Sequence, residues 1–376
     1  MLTQKGRAKN WEPNSPKNVD VTRAKGFECV SSSPHSKMEE QKENIHDQDE
    51  NKKPLESRPR GTPYVKTTCP AHSSIVEPVP VEPTSHGEFS DPVYKEIALA
   101  NGHINRMSRD ELRAKLAELK LDTRGVKDVM KKRLKSYYKK QKLTLSASEA
   151  GTFYDFICVV DFEATCEENN PQDFEHEIIE FPIVLIDTQK LEIVDTFQEY
   201  VKPELNPKLS DFCIQLTGIT QKMVDDADTF PAVLRRVVRW MQEKELGTKH
   251  RYTLLTDGSW DMSKFLNIQC RLSGIRYPAF ARKWINIRKS YGNFYKVPRT
   301  NTKLSSMLEK LGLQYEGRPH CGLDDSHNIA RIALRMLQDG CHLRVNEHMH
   351  EGQLQSVPSS APLEGAPPPH NPKSRH

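Results

Sequence analysis

The stretch Ile157-Cys158-Val159-Val160-Asp161-Phe162-Glu163-Ala164-Thr165 constrains the fold more than any other. It reads as a buried strand that ends in two carboxylates. Its apolar run is rich in β-branched residues, which suit a central strand. Side chains alternate along a strand, so Asp161 and Glu163 share one face. A sheet core does not bury two neighbouring carboxylates without a counter-charge. Two readings stay open at this point. The strand end is solvated, the common fate of acids, or the pair shares a divalent cation.

The rest of the chain is organised around that strand. The 376 residues allow about two domains plus tails. Only 36% of them are hydrophobic and 25 are Pro, so part of the chain is expected not to fold. Residues 1–100, rich in Pro, Ser, Lys and Glu, are expected to be a disordered tail. The run Lys52-Lys53-Pro54 to Arg58-Pro59-Arg60 reads as solvated tail or as a localisation signal. Residues 350–376 are read as a second disordered tail. The eight cysteines form no CxxC pair and no zinc-spaced cluster, which suits reduced thiols. No apolar run approaches about 20 residues, so no membrane partner is expected. The N-terminus lacks the apolar centre of a secretory signal.

Charge is uneven. The chain carries +4 overall, yet residues 103–142 hold 14 Lys and Arg against 5 Asp and Glu. That local excess points to a polyanionic partner. Order is expected from about Gly102. Ser108-Arg109-Asp110-Glu111 is a capping box, followed by Leu112, Leu116 and Leu119 at helical spacing. After a turn at Thr123-Arg124-Gly125, a second helix is expected to bury Val126, Val129, Met130, Leu134 and Tyr137. Lys127, Lys131, Lys132, Arg133 and Lys135 are expected to face largely outward. Residues 102–142 thus form a small helical module, and 143–151 a linker. From 152 to about 345, strands come first: Ile178 to Ile186, Leu191 to Val201, then Tyr252 to Thr256. The short spacings favour an antiparallel meander at the start.

Two more acids join the first pair. At Asp257-Gly258-Ser259-Trp260-Asp261, the helix that begins with Asp261 carries Phe265, Ile268 and Leu272 on one stripe. That turns Asp261, rather than Asp257, towards the sheet. In His320-Cys321-Gly322-Leu323-Asp324-Asp325, the helix onward carries Ile329, Ile332, Ala333 and Met336 on the stripe of Asp325. Asp324 falls on the stripe of Asn328, Arg331 and Arg335, facing water. Taken singly, Asp325 is also explained as a helix-dipole partner, His320 as a surface histidine and Trp260 as core packing. Taken together, Asp161, Glu163, Asp261 and Asp325 are four inward carboxylates that need cations to sit close. Two Mg²⁺ would satisfy them and support phosphodiester hydrolysis, with His320 taking the proton of the attacking water. Mn²⁺ is a substitute that the same oxygens accept.

These motifs in this order resemble the DEDDh exonucleases. Asp161-x-Glu163 matches the first motif, Trp260-Asp261 the second, and His320-x-x-x-x-Asp325 the third. Leu216-Thr217-Gly218-Ile219 matches a family loop beside the 3′ end. The pattern Leu112, Leu116, Leu121, Gly125-Val126-Lys127 and Leu134 resembles a SAP nucleic-acid-binding module. The two joined are similar to the eukaryotic 3′–5′ exoribonuclease 1 family, over about residues 102–355. The resemblance implies an α/β, RNase H-like fold: a mixed five-stranded sheet with flanking helices. It implies that Asp161, Glu163, Asp261 and Asp325 hold the metals and that His320 is the general base. Glu163, Ala164 and His320 would contact the terminal nucleotide, Trp260 and Phe212 would stack on bases, and Arg133 and Lys135 would grip an RNA stem. It also implies 3′-end trimming of histone mRNA, small interfering RNA and 5.8S ribosomal RNA. Its implied partners are the histone stem-loop-binding protein and ribosomes, and its implied places are cytoplasm, nucleus and nucleolus. Two alternatives remain: the same chemistry on DNA, and a non-catalytic RNA-binding adaptor.

Overall fold

A computed structural model describes residues 92–144, 153–171 and 173–358. The candidate localisation run, most of the N-terminal tail, most of the linker and the end of the C-terminal tail lie outside the described residues.

The central strand is β1 (Phe156–Val159). It pairs antiparallel with β3 (Ile178–Asp187) and parallel with β5 (Tyr252–Thr256). The long edge strand β4 (Glu192–Tyr200) runs antiparallel on β3, and β6 (Lys283–Asn286) runs parallel on β5. These five strands make the expected mixed sheet, with the meander on one side of β1 and the parallel strands on the other. Three short strands extend it among the described residues. They are β2 (Glu163–Ala164) on β3, β7 (Glu347–His350) on β6, and β8 (Gln353–Ser356) on β7.

All ten residues of β3 are buried, because helices cover both faces of the sheet. The period-2 alternation of β1 divides two cores. Ile157 and Val159 join Val184, Ile186, Leu255 and Ile285 beneath the helix Gly322–Gln338. Cys158 and Val160 join Phe181, Ile183, Leu185 and Leu254 beneath the helix Phe230–Glu243. The face of Ile157 and Val159 is therefore the face onto which Asp161 and Glu163 follow.

On the N-terminal side lie α1 (Pro92–Arg106), α2 (Arg109–Glu118) and α3 (Lys127–Thr144). Ser108 and Glu111 close both bonds of the capping box that starts α2. A small core of Ile104, Leu112, Leu116, Met130 and Leu134 holds the three helices together. Helix α1 begins ten residues before the expected onset of order, because Ile97 and Ile104 bury against α3. Two such contacts on a polar helix leave little periodicity to read.

Two further expectations are corrected. Arg133 does not face outward: its side chain is 3% exposed, and Nε donates to Asp339 Oδ1 at 2.6 Å. Its other nitrogens donate to Asp339 Oδ2 and to the carbonyls of Asp122 and Arg124. Val129 likewise sits in the larger domain's core, whereas Val126 is exposed. The face of α3 that a two-helix module would show to solvent is thus partly docked. Secondly, β8 falls inside the stretch expected to be a tail. Its four residues are all exposed and held by pairing to β7, so no apolar pattern announces them.

No helix among the described residues is long and apolar enough to cross a membrane. The described cysteines are free, and burial pushes the Cys158 thiol up to about 12.

Candidate active site

Strand β1 delivers Asp161 to its carboxyl end, where the chain leaves the sheet and re-pairs as β2 with a register shift between Glu163 and Ala164. Glu163 is 1% exposed and Asp161 half-buried. The helix α10 (Gly322–Gln338) packs across β1 and β3 on the same face. (Helices α4 to α9 are Asp211–Thr217, Gln221–Asp225, Phe230–Glu243, Asn267–Leu272, Ile287–Tyr295 and Leu304–Leu311.) Gly322 opens α10 against the carbonyl of Asp161: a Cβ there would lie 2.7 Å from that oxygen. Only glycine lets the backbones approach so closely. One turn on, Asp325 then reaches the strand acids. One carboxylate oxygen each from Asp161, Glu163 and Asp325 lies within 4.8 Å of the others. Three clustered carboxylate oxygens at a strand exit are the hard donors that a divalent cation takes, so the residues fit such an ion.

Asp325 is held on both oxygens. Tyr315 Oη donates to Oδ1 at 2.7 Å, and the His320 backbone N–H donates to Oδ2 at 2.8 Å. Burial, with Asp325 beside it, raises the Tyr315 hydroxyl far above its ordinary pKa, so it stays a donor. Helix α10 itself is fixed by Glu180, which lies directly opposite Glu163 in the β2–β3 register. Its carboxylate accepts the N–H groups of Gly322 and Leu323, at 3.0 and 3.2 Å, and Gln198 Nε2 at 2.8 Å. An acid is favoured at a helix N-terminus. Burial nevertheless pushes the Glu180 carboxyl above its usual range against those hydrogen bonds.

Asp261 arrives from β5 and is 3% exposed. Its Oδ1 accepts the N–H of Phe162 at 3.0 Å, the peptide between the two strand acids. The structure therefore gathers Asp161, Glu163 and Asp325 in one group and sets Asp261 against the backbone that joins the first two. The sequence argument for Asp261 used the wrong stripe. Residues Asp261–Leu266 form a wide π-helical turn, and the buried residues after Asp261 are Met262, Leu266, Gln269 and Cys270. Asp257 is not a plain loop acid either. It is buried and pairs with Arg288 Nη2 at 2.5 Å. The turn between them is anchored by Glu347, which is 0% exposed. Glu347 accepts from Ser259 Oγ at 2.9 Å, Trp284 Nε1 at 2.9 Å and Asn286 Nδ2 at 3.2 Å, and pairs with Lys289.

His320 lies half-buried on the loop before α10, in left-handed backbone with φ 62°. Arg318, two residues earlier, donates to the carbonyl of Gln215 and packs where a Gly218 side chain would stand. The histidine loop is thus tied to the Leu216-Thr217-Gly218-Ile219 turn. Cys213 Sγ contacts the carbonyl of buried Ala164 from helix α4 (Asp211–Thr217), which also carries half-buried Phe212. Trp260 is 8% exposed, edge-on to Phe265, with Lys264 Nζ 3.8 Å from its ring centroid. Lys135 is not in the acidic group that the structure gathers; it lies on α3 and donates to Asn105 on α1.

Tyr315, Glu180, Arg318 and Glu347 were missed in the sequence. Each acts across a gap in the chain that periodicity does not span, although Glu180 stood out as a lone acid in an apolar strand. Tyr315→Phe tests the first. Loss of a hydrogen bond to a charged ligand is expected to lower trimming about tenfold or more and to raise the divalent-ion concentration for half-maximal rate. An unchanged metal titration with unchanged melting would remove Tyr315 from the site.

The chain is similar to characterised proteins. A family model described as Exonuclease matches residues 158–333, and one described as SAP domain matches 103–139. The chain is 67% identical over 321 residues to the Homo sapiens 3′-5′ exoribonuclease 1, covering 85% of this chain and 92% of that protein. It is 71% identical over 290 residues to the Rattus norvegicus protein of the same name, covering 77% and 84%. A solved structure described as 3′-end specific recognition of histone mRNA stem-loop by 3′-exonuclease matches with TM-score 0.57 and 72% identity. It covers 75% of this chain and 98% of the other. The nuclease domain of 3′hExo, described as a DEDDh family member bound to rAMP, matches with TM-score 0.53 and 74% identity, over 53% of this chain and all of that one. This chain belongs to the 3′–5′ exoribonuclease 1 family, as a DEDDh exonuclease with a SAP domain on its N-terminal side.

Proposed function

We propose that this exoribonuclease trims the 3′ ends of structured RNA with Mg²⁺ and releases nucleoside 5′-monophosphates. The observation that carries the reading is the three-carboxylate group at the end of β1, with Asp261 beside it and His320 tethered to Asp325. Asp161, Glu163, Asp261 and Asp325 would hold two Mg²⁺, or Mn²⁺ in their place. When bound, such ions supply polarisation of the attacking water and of the leaving oxygen. The chain's own groups do the rest. Glu163, Ala164 and the Leu216–Ile219 turn shape the seat of the terminal nucleotide. The imidazole of His320 takes the proton of the attacking water as general base. The water oxygen bonds to phosphorus as the bond to the neighbouring 3′-oxygen breaks, and that oxygen is protonated from solvent. Trp260 and Phe212 flank this region. Trp260 is buried and Phe212 half-buried there.

The substrates proposed are histone mRNA stem-loops, small interfering RNA duplexes and 5.8S ribosomal RNA. The support is the relative whose structure is described with a histone mRNA stem-loop, and the basic SAP domain docked on the nuclease. The histone stem-loop-binding protein and ribosomes follow as partners, and cytoplasm, nucleus and nucleolus as places of action. A time course on a stem-loop RNA with a 3′ flank, with Mg²⁺ and with chelator, tests this. Stepwise shortening from the 3′ end is expected with Mg²⁺ only. Equal shortening of the matched DNA hairpin would move the substrate to DNA, and no shortening of either would refute the reading.

A further inference from the structure

A cleft of about 440 Å³ separates helix α3 from the nuclease helices α8 (Ile287–Tyr295) and α9 (Leu304–Leu311). Lys131, Lys132 and Lys135 line it from α3, and Lys296 and Lys310 from the nuclease. Asp128 is the acid in its lining, and it is a distant, exposed partner of Lys131 at 4.0 Å. Such a pair neutralises little. Lys132 is half-buried, with Nζ 4.2 Å from the centroid of the Phe294 ring. Among the described residues, neither Lys132 nor Lys296 has a carboxylate within 4 Å. Burial foremost, together with Lys296, Lys139 and Lys135, holds the Lys132 ammonium below its ordinary range. Elsewhere on the same helix a buried charge is answered: Arg133 pairs with Asp339 at 2.6 Å. Lys135 and Lys310 donate to Asn105 Oδ1 and the Asn301 carbonyl, but at Lys132 and Lys296 the charge is left unanswered in a concave, ring-floored site, which is costly without an anion.

We propose that this cleft is a phosphate-backbone site built jointly by the SAP helix and the nuclease, so that one RNA lies against both. The charged donors are ammonium groups, with no guanidinium fork among them. That set suits sequence-independent contact with successive phosphodiesters rather than an oriented small anion. The assignment rests on the reading of structured RNA as substrate. It adds nuclease residues to the contact surface and leaves Arg133 out of it.

The test is binding of a stem-loop RNA to the full chain in chelator, across about 50 to 200 mM salt. Changing both Lys132→Gln and Lys296→Gln is expected to make the slope of log affinity against log salt shallower by about 1.5, the loss of two phosphate contacts. Changing both to Arg keeps the charge and is expected to keep the slope. An unchanged slope and affinity in the Gln variant would overturn the proposal. So would saturable, Lys132-dependent binding of inorganic tripolyphosphate with the RNA slope intact, which makes the cleft a free-anion site. If the wild-type chain binds a single strand as tightly as the stem-loop, the substrate reading fails, while the slope still decides the cleft.

Discussion

Asp161→Asn is expected to abolish mononucleotide release while leaving stem-loop RNA bound. The amide keeps the shape of the side chain and its place at the end of β1. It removes one negative charge and one strong oxygen donor from a group whose oxygens lie within 4.8 Å of one another. Electrostatic stabilisation at such sites amounts to several kcal/mol, so the rate should fall roughly a thousandfold or more. Binding should survive, because the basic surface lies on α3 and the nuclease helices and not among the acids. A second consequence separates a site from mere structure. In chelator, three clustered carboxylates repel one another, so the Asn variant should melt at or above the wild-type temperature. Trimming at the wild-type rate, or a variant that melts far lower in chelator, would show that Asp161 holds the fold rather than the reaction.

The placement of that residue was legible because a strand's period is short and strict. From Ile157 to Glu163 each odd position had to fall on one face, and the structure divides its two cores along that line. The stripe of Ile329, Ile332, Ala333 and Met336 was legible for the same reason, at helical spacing, and it carries Asp325 inward. The segment after Asp261 was not, because a π-helical turn changes the period and moves the buried positions from Phe265 and Ile268 to Met262 and Leu266. Asn328 was placed with the solvated stripe, yet it is buried and bridges Glu316 and Asp324. A side chain that satisfies its polar atoms on backbone groups carries no hydrophobic signal. Glu180 and Glu347 are the extreme form of this. Each is a buried acid whose partners come from other segments, and of the two only Glu180, set in an apolar strand, gives a signal in the sequence.

Arg133 shows how a charge run misleads, and it sets the second large effect. Asp339→Ala is expected to cost about 3–5 kcal/mol, because it leaves the Arg133 guanidinium buried without its counter-charge. Asp339 is 1% exposed on its side chain, accepts twice from Arg133, and also accepts from Tyr295 Oη at 2.8 Å. The surrounding seam shares the load: Arg335 pairs with Asp122 at 2.6 Å, and the Val126 N–H donates to the Lys310 carbonyl at 2.8 Å. Urea unfolding and hydrogen exchange across α2 and α3 measure the loss. Replacing both partners, Arg133→Met with Asp339→Leu, should recover most of it, since a buried ion pair is often no better than apolar packing. RNA binding then discriminates between the two roles open to Arg133. If it is a docking residue, freeing it by Asp339→Ala lets the two walls of the lysine cleft drift apart, and stem-loop affinity falls. If it is an RNA-gripping residue, as its place in the basic run implied, the freed guanidinium reaches the phosphates and affinity rises. A tighter complex in Asp339→Ala would return Arg133 to the RNA interface.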